Sequence, residues 1–371
     1  MPEAHNVNPV MIKWARQDCG FSLDELPDYL KDAEKWETGE KLPAWTDLRN
    51  MAKKYKRPSF FYFLSKPPID NIDFIDFRSD EKIGEFSPEL RLEIRKAKSR
   101  RNAYIRIHED MGIPIPNFKK HLCNEKNPIK LGQYIRQFLN VDFETQKKWI
   151  LNNNGNHESF LERWIEVCFD LGILVFETNS VLESEISGCS IYYDYCPIIL
   201  LNGKNYHNRR IFTLMHELAH LIQGTSAICD VDKHNKKEAF CNNVASEILM
   251  PDDTFKNLQL NKHELKVTGL SDIYGVSKQS IIYKLNHSGF IDDGLKNEWI
   301  LKLERGNEIM RRKDGERKNS EPRISTISLK KQNGEPYTRL ILDAYDNNII
   351  TSTQAMRYLD TSLDKIKSWR L

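Results

Sequence analysis

The stretch IFTLMHELAHLI, residues 211–222, constrains the fold more than any other part of the chain. Phe212, Leu214, Leu218, Ala219 and Leu221 make a helix through residues 210–222 strongly apolar, so it belongs in a core. His216, Glu217 and His220 interrupt that apolar surface. Polar groups in such a place are costly without partners, and a bound metal ion would supply them. Two histidines four positions apart project from one helix face, a turn apart. Both ring nitrogens then reach a single ion at about 2.0–2.1 Å. Glu217, beside the first histidine, is placed as the general base that takes a proton from water activated by the ion. The plainer alternative is a helix with two ordinary histidines.

A catalytic zinc usually has three protein ligands and one open position. The next helix, within KKEAFCNNVASEILMP (residues 236–251), carries Glu238 eighteen positions after His220. A chain reversal between the two helices brings this carboxylate to the ion. Asn242, four residues on, shares its face and is expected to accept a hydrogen bond from a ligand histidine, fixing the ring tautomer. The alternative for Glu238 is a surface acid beside Lys236 and Lys237. Glu247, further along between apolar positions, is the second candidate for the third ligand. The expected set is therefore zinc on His216, His220 and Glu238, with Glu217 as base and Asn242 behind the ligands.

At 371 residues the chain exceeds one ordinary core, since domains average roughly 150 residues. An apolar fraction of 40% and an aromatic fraction of 10% are those of a folded protein. With 55 basic and 53 acidic residues the net charge is only +2, which argues against a generally basic nucleic-acid coat but leaves room for a local patch. No signal-peptide pattern opens the chain, and no run of about 18 uncharged apolar residues occurs, so a cytoplasmic protein without membrane association is expected. The seven cysteines are irregularly spaced and include no CxxC pair. They read as free thiols in a reducing compartment rather than as disulfides or a cysteine zinc ribbon.

Helical spacing recurs near the N-terminus at Val10, Trp14 and Ala15, at Leu23, Leu26 and Leu30, and at Leu48, Met51, Ala52 and Tyr55. Ser22 starts S-L-D-E, a capping-box pattern that predicts a second helix there. Residues 87–108 predict a long helix with Pro88 in its first turn; its many basic residues read as a solvated face, or alternatively as a binding surface. Helices are expected at 129–140 and 158–171, and strands at 173–177, 190–194 and 197–201. Residues 258–303 are helical again, with helix-turn-helix spacing around Gly275-Val276-Ser277 that suits DNA reading or a small packing module. A charged, apolar-poor stretch follows, and a short helical unit ends the chain. The fold class is α+β, mainly helical, with a small β-sheet.

The pair RIFTLMHELAHLI and EAFCNNVASEILMP resembles the ImmA/IrrE metallopeptidases. Arg210, Thr213, His216, Glu217, His220, Glu238, Asn242, Ala245 and Leu249-Met250-Pro251 carry the likeness, which spans residues 172–255. The resemblance implies a gluzincin-like core and a zinc endopeptidase that cuts a partner protein, typically a DNA-binding helix-turn-helix repressor, as a regulatory step in transcription or stress response. Residues 1–70 resemble the Xre/Cro-like helix-turn-helix domain that precedes the peptidase in many members. This copy is degenerate: only the five residues KDAEK separate Leu30 from Trp36, where a recognition helix needs several turns. That favours protein docking or a structural role over DNA binding. The implied organisation is 1–70 helix-turn-helix-like, 71–128 helical connector, 129–257 peptidase, 258–305 helix-turn-helix-like segment, 306–322 linker and 323–371 C-terminal helical unit.

An extended substrate is expected beside an edge strand within residues 187–194. Tyr192, Tyr193, Tyr206 and His207 are the candidate oxyanion donors. The competing function is a non-proteolytic transcription regulator or antitoxin-like binding protein with a structural or decayed metal site. A fourth protein ligand, such as Cys241 or His234, would mark that case. A third reading is an intact peptidase held silent until a partner or stress signal arrives.

Overall fold

A computed structural model describes residues 6–67, 86–152, 157–229, 236–256, 266–315 and 326–369. The chain divides into two compact units, Met1–Lys98 and Ser99–Leu371. The expected boundaries at 70/71, 257/258 and 322/323 fall outside the described residues. Among the described residues no helix is long and apolar enough to cross a membrane.

The first unit contains α1 (Pro9–Asp18), α2 (Ala33–Thr38), α3 (Trp45–Lys54) and the start of α4 (Pro88–Met111). Asn8 caps α1 by accepting from the Val10 N–H, and Pro9 takes the first helical position, where a missing donor costs nothing. Ile12, Leu30, Trp36, Leu48, Met51, Tyr55 and Tyr62 form its core. Asp18 sits between Arg57 (2.8 Å) and Arg95 (3.0 Å). The helix predicted from Ser22 does not form. Ser22 does bond Glu25 through its N–H (2.8 Å) and hydroxyl (2.9 Å). Pro27 then stands extended at ψ 156°, and only a single turn, Asp28–Leu30, follows. Proline removes a donor and biases the residue before it away from helix, which defeats the capping signal.

The second unit begins within α4. Here the basic face is largely spoken for: Arg101 donates to the carbonyls of Cys196 (2.9 Å) and Tyr195 (2.8 Å), and Arg100 is buried over the Phe176 ring. Next come α5 (Pro128–Leu139), α6 (Phe143–Asn152), α7 (His157–Asp170), β1 (Leu174–Thr178), β2 (Gly188–Ile191), β3 (Ile198–Asn202), α8 (His207–Ile222), β4 (Ala227–Cys229) and α9 (Lys236–Leu249). Asn127 caps α5 and Pro128 opens it. The sheet order is β1-β3-β2-β4, with β1 parallel to β3 and β2 antiparallel to both neighbours. β1, β2 and β3 are buried throughout, which is why apolar residues follow one another without alternation in Leu174–Phe176 and Ile198–Leu201. The strand expected at 190–194 starts two residues earlier and already ends at Ile191. It is also internal: β4 covers its outer side, so 187–194 offers no free edge where β2 pairs.

Beyond α9 come α10 (Asp252–Lys256), α11 (Val267–Tyr274), α12 (Lys278–His287), α13 (Asp293–Gly315), α14 (Thr326–Asn333), α15 (Glu335–Asp346), α16 (Ser352–Leu359) and α17 (Leu363–Ser368). Leu270, Tyr274, Val276, Ile281, Ile282 and Leu285 of the helix-turn-helix-like segment lie in one core with α5, α7, α8 and α9, so this segment is not a separate body. The stretch expected as a linker from residue 306 continues α13 through Gly315; the rest of it lies outside the described residues. The C-terminal helices lie against the sheet at β1, where a Cβ added to Gly334 would stand 3.0 Å from the Val175 carbonyl.

Candidate metal centre

α8 is buried along almost its whole length, including Arg210 (4% exposed), His216 (5%), Glu217 (0%) and His220 (0%). α9 packs across it and brings Glu238 to the two histidines although 22 positions separate Glu238 from His216. His216 Nε2 lies 3.0 Å from Glu238 Oε2 and 3.1 Å from His220 Nε2, and His220 Nε2 lies 3.4 Å from Glu238 Oε1. Ligands about 2.0–2.1 Å from a tetrahedral ion stand about 3.3 Å apart, so each of these separations is close to a ligand–ligand distance at a metal ion, with the two oxygens of Glu238 each facing one histidine. Among the described residues His216, His220 and Glu238 form a group able to hold a metal.

The groups around the triangle have a definite arrangement. The His216 Nδ1–H donates to Asn242 Oδ1 at 2.8 Å, leaving Nε2 free to ligate. Asn242 is exposed and Glu238 half-buried, so the α9 side of the centre meets solvent while His220 and Glu217 form its floor. Both Glu217 carboxylate oxygens and His220 Nδ1 are buried without a hydrogen-bond partner. A buried, unpaired carboxylate beside two imidazoles is costly unless water or a cation meets it. The donor set and the orphaned oxygens therefore fit a metal with one position left for water. On Glu238, burial favours the neutral acid, but the contacts with His216 and His220 prevail and hold the carboxyl far below the usual range. On His216, burial favours the neutral ring, but Glu238, Glu217 and Asn242 together raise the pKa above 6.5.

Glu247, the second candidate ligand, is not at the centre. It is buried against Lys284 Nζ (3.1 Å) and accepts the Asp252 N–H (3.0 Å). Cys241 is buried and outside the ligand group; burial pushes its thiol up to about 12, away from the thiolate a metal needs. His234 lies outside the described residues. Tyr206 and His207 sit at the start of α8, roughly 14 Å along the axis from His216 at 1.5 Å per residue. Tyr192 donates to Asp194 (2.8 Å), and Tyr193 lies under the Arg101 guanidinium (3.8 Å).

Two contributors escaped the sequence reading. Gly188 of β2 faces α8, and a Cβ there would stand 2.6 Å from Thr213 Cγ2 and 3.5 Å from Glu217 Oε1. Only glycine lets the strand approach Glu217 so closely. Glu177, the acid closing an apolar strand, holds Arg210 at 2.5 Å within the buried start of α8.

The helix pair thus converges two imidazoles and a carboxylate, a group able to hold a metal, beside a buried glutamate. Residues 168–286 match the family model described as the IrrE N-terminal-like domain, Peptidase_M78, a metallopeptidase family. The match covers about a third of the chain and takes in β1 through α12. Comparison with curated proteins and with solved structures gives no match.

Proposed function

We propose that the chain is a zinc endopeptidase with a gluzincin-like core that cuts a partner protein, a helix-turn-helix DNA-binding repressor, as a regulatory step. The observation that carries this reading is the convergence of His216, His220 and Glu238 side chains to 3.0–3.4 Å of one another beside the unpaired Glu217 carboxylate. Bound zinc would polarise the scissile carbonyl and bring the pKa of its water to about 7. Glu217 accepts the proton of the attacking water and returns it to the leaving amine. Asn242 keeps His216 in the tautomer that presents Nε2. The edge of the sheet on the metal-helix side is β4, so an extended peptide pairs there rather than with β2. The repressor as substrate rests on the family resemblance.

The N-terminal unit suits protein docking better than DNA reading. Its α2 has six residues, about 9 Å of helix, too short to lay a row of side chains along a major groove. The alternative, a binding protein with a structural metal, draws no support from the described ligand group, which has three members and an exposed side. In the test, Glu217→Gln is purified with zinc content and melting compared with the unaltered protein, then co-expressed with neighbouring repressors. The expected outcome is full zinc occupancy and no cleavage, a loss of at least about 10²-fold. Continued proteolysis by Glu217→Gln would remove Glu217 as the base.

A further inference from the structure

We infer that the first unit carries a face that binds single-stranded nucleic acid without reading its sequence, with bases stacked on Trp45 and Phe60 and phosphates held by Arg49 and Lys53. Residues 48–67 contain six basic and five aromatic residues and no acidic one, in a chain whose net charge is only +2. The stretch covers most of α3 and a 3-10 turn, Ser59–Phe63. Residues three apart eclipse one another on a 3-10 turn, so Phe60 and Phe63 share a side. Phe63 stacks on Trp45, with 5.8 Å between ring centroids and 29° between planes. The outer rings are open to solvent: Phe60 is 67% exposed and Trp45 45%. Along α3, Trp45, Arg49 and Lys53 follow one another at four-residue intervals on one exposed face, about 6 Å apart along the axis.

The charge on this face is not neutralised from within. Arg49 and Lys53 make no ion pair among the described residues, whereas Arg57 is held by Asp18 at 2.8 Å and Lys54 lies over the Phe21 ring at 4.1 Å. The helices that flank the turn, α1 and α3, carry one acid each. Asp18 lies between Arg57 and Arg95, and Asp47 accepts the Ala44 N–H at 2.8 Å from a different side of α3 than Trp45 and Arg49. The complementary guest is therefore anionic and offers flat apolar surfaces. A second copy of the face would set cation against cation. A single strand has both properties, since every base has a π-face and a phosphate recurs with each base. Duplex DNA keeps its base faces stacked inside, so it is the poorer guest, and no groove has to be entered.

The probes are fluorescein-labelled oligothymidylate and oligouridylate of about twelve nucleotides, within the span of roughly 4–16 that small single-strand modules cover. Each is titrated into the full chain at low salt. Saturable binding of at least one is expected, and the tighter of the two tells whether the strand is DNA or RNA. Trp45→Ala removes a stacking ring and is expected to weaken binding about tenfold. Arg49→Gln combined with Lys53→Gln removes two phosphate contacts, so the slope of log affinity against log salt is expected to flatten by about 1.4. Circular dichroism and melting establish that each variant is folded; if Trp45→Ala is not, Phe60→Ala, at the more exposed ring, takes its place. Phosphatidylcholine–phosphatidylserine vesicles and polyglutamate serve as competitors. The assignment is overturned by absence of saturable binding of both strands, by unchanged affinity in a folded ring variant, or by displacement as efficient, charge for charge, with vesicles or polyglutamate as with unlabelled strand. Neither metal nor cleavage enters the measurement, so its failure is distinct from failure of the peptidase reading.

Discussion

Asn242 shows how much one exposed side chain can decide. It lies 2.8 Å from His216 Nδ1 and fixes which ring nitrogen faces Glu238 and His220. Asn242→Ala is expected to weaken zinc binding about 10–100-fold, measured by chelator competition. His216 also sets a pH dependence. A ligand histidine must be neutral, and burial, which would favour neutrality, is outweighed by Glu238, Glu217 and Asn242. Protons therefore compete with the metal from above pH 6.5 downward, and affinity falls as pH falls through the raised value. Glu238 stays ionised over this range because its own pKa is depressed. Zinc affinities at about pH 6, 7 and 8 are expected to fall towards the acid side, and a flat profile would contradict the raised His216 pKa. At this scale the sequence was informative. Helical spacing puts His216 with His220, and Glu238 with Asn242, on common faces, but it left Glu247 open as a second candidate ligand, and that side chain is instead a partner of Lys284.

At the scale of elements, β2 and α8 depend on a missing side chain. A Cβ at Gly188 would stand 2.6 Å from Thr213 Cγ2 and 3.2 Å from the Leu200 carbonyl, so strand or helix must shift. Gly188→Ala is expected to destabilise by about 1–3 kcal/mol in denaturant melts and to lower cleavage further by displacing Glu217. The control is Gly269→Ala, whose added Cβ meets only Lys266 Cβ at 3.9 Å and leaves the centre alone. Equal cleavage by Gly188→Ala and the control would show that close approach of the strand does not position Glu217 for the proposed reaction. The edge strand was misplaced in the sequence reading for a physical reason. β4 is three residues long and pairs with β2 across 37 to 41 positions, so no local pattern marks it.

At the scale of the molecule, the segment after α9 is tied to α9 by charge as well as by packing. Lys284 of α12 is buried and reaches Glu247 of α9 at 3.1 Å and Asp252 of α10 at 2.6 Å. Burial raises the Glu247 pKa even with Lys284 opposite it. Lys284→Met leaves that carboxylate without its cation and is expected to cost about 3–5 kcal/mol in urea unfolding, with Lys284→Met/Glu247→Gln recovering part of the loss. No recovery in the double variant would mean that the pair contributes through packing alone. The link accompanies a shared core between residues 266–291 and α8 and α9, as the packing-module reading of their helix-turn-helix spacing expected.

The sequence by itself determined the helices that bear the chemistry. An apolar stripe interrupted at 216, 217 and 220, then an acid and an amide four apart on the next helix, are periodic signals carried within about four turns. Where a local signal conflicted with another, as with the Ser22 cap and Pro27, the proline prevailed. Only the tertiary structure decided which strand is the edge, why residue 188 is glycine, and which of Glu238 and Glu247 faces the histidines. Those choices rest on contacts between chain positions 18 to 41 residues apart, and no periodicity of a single element encodes them.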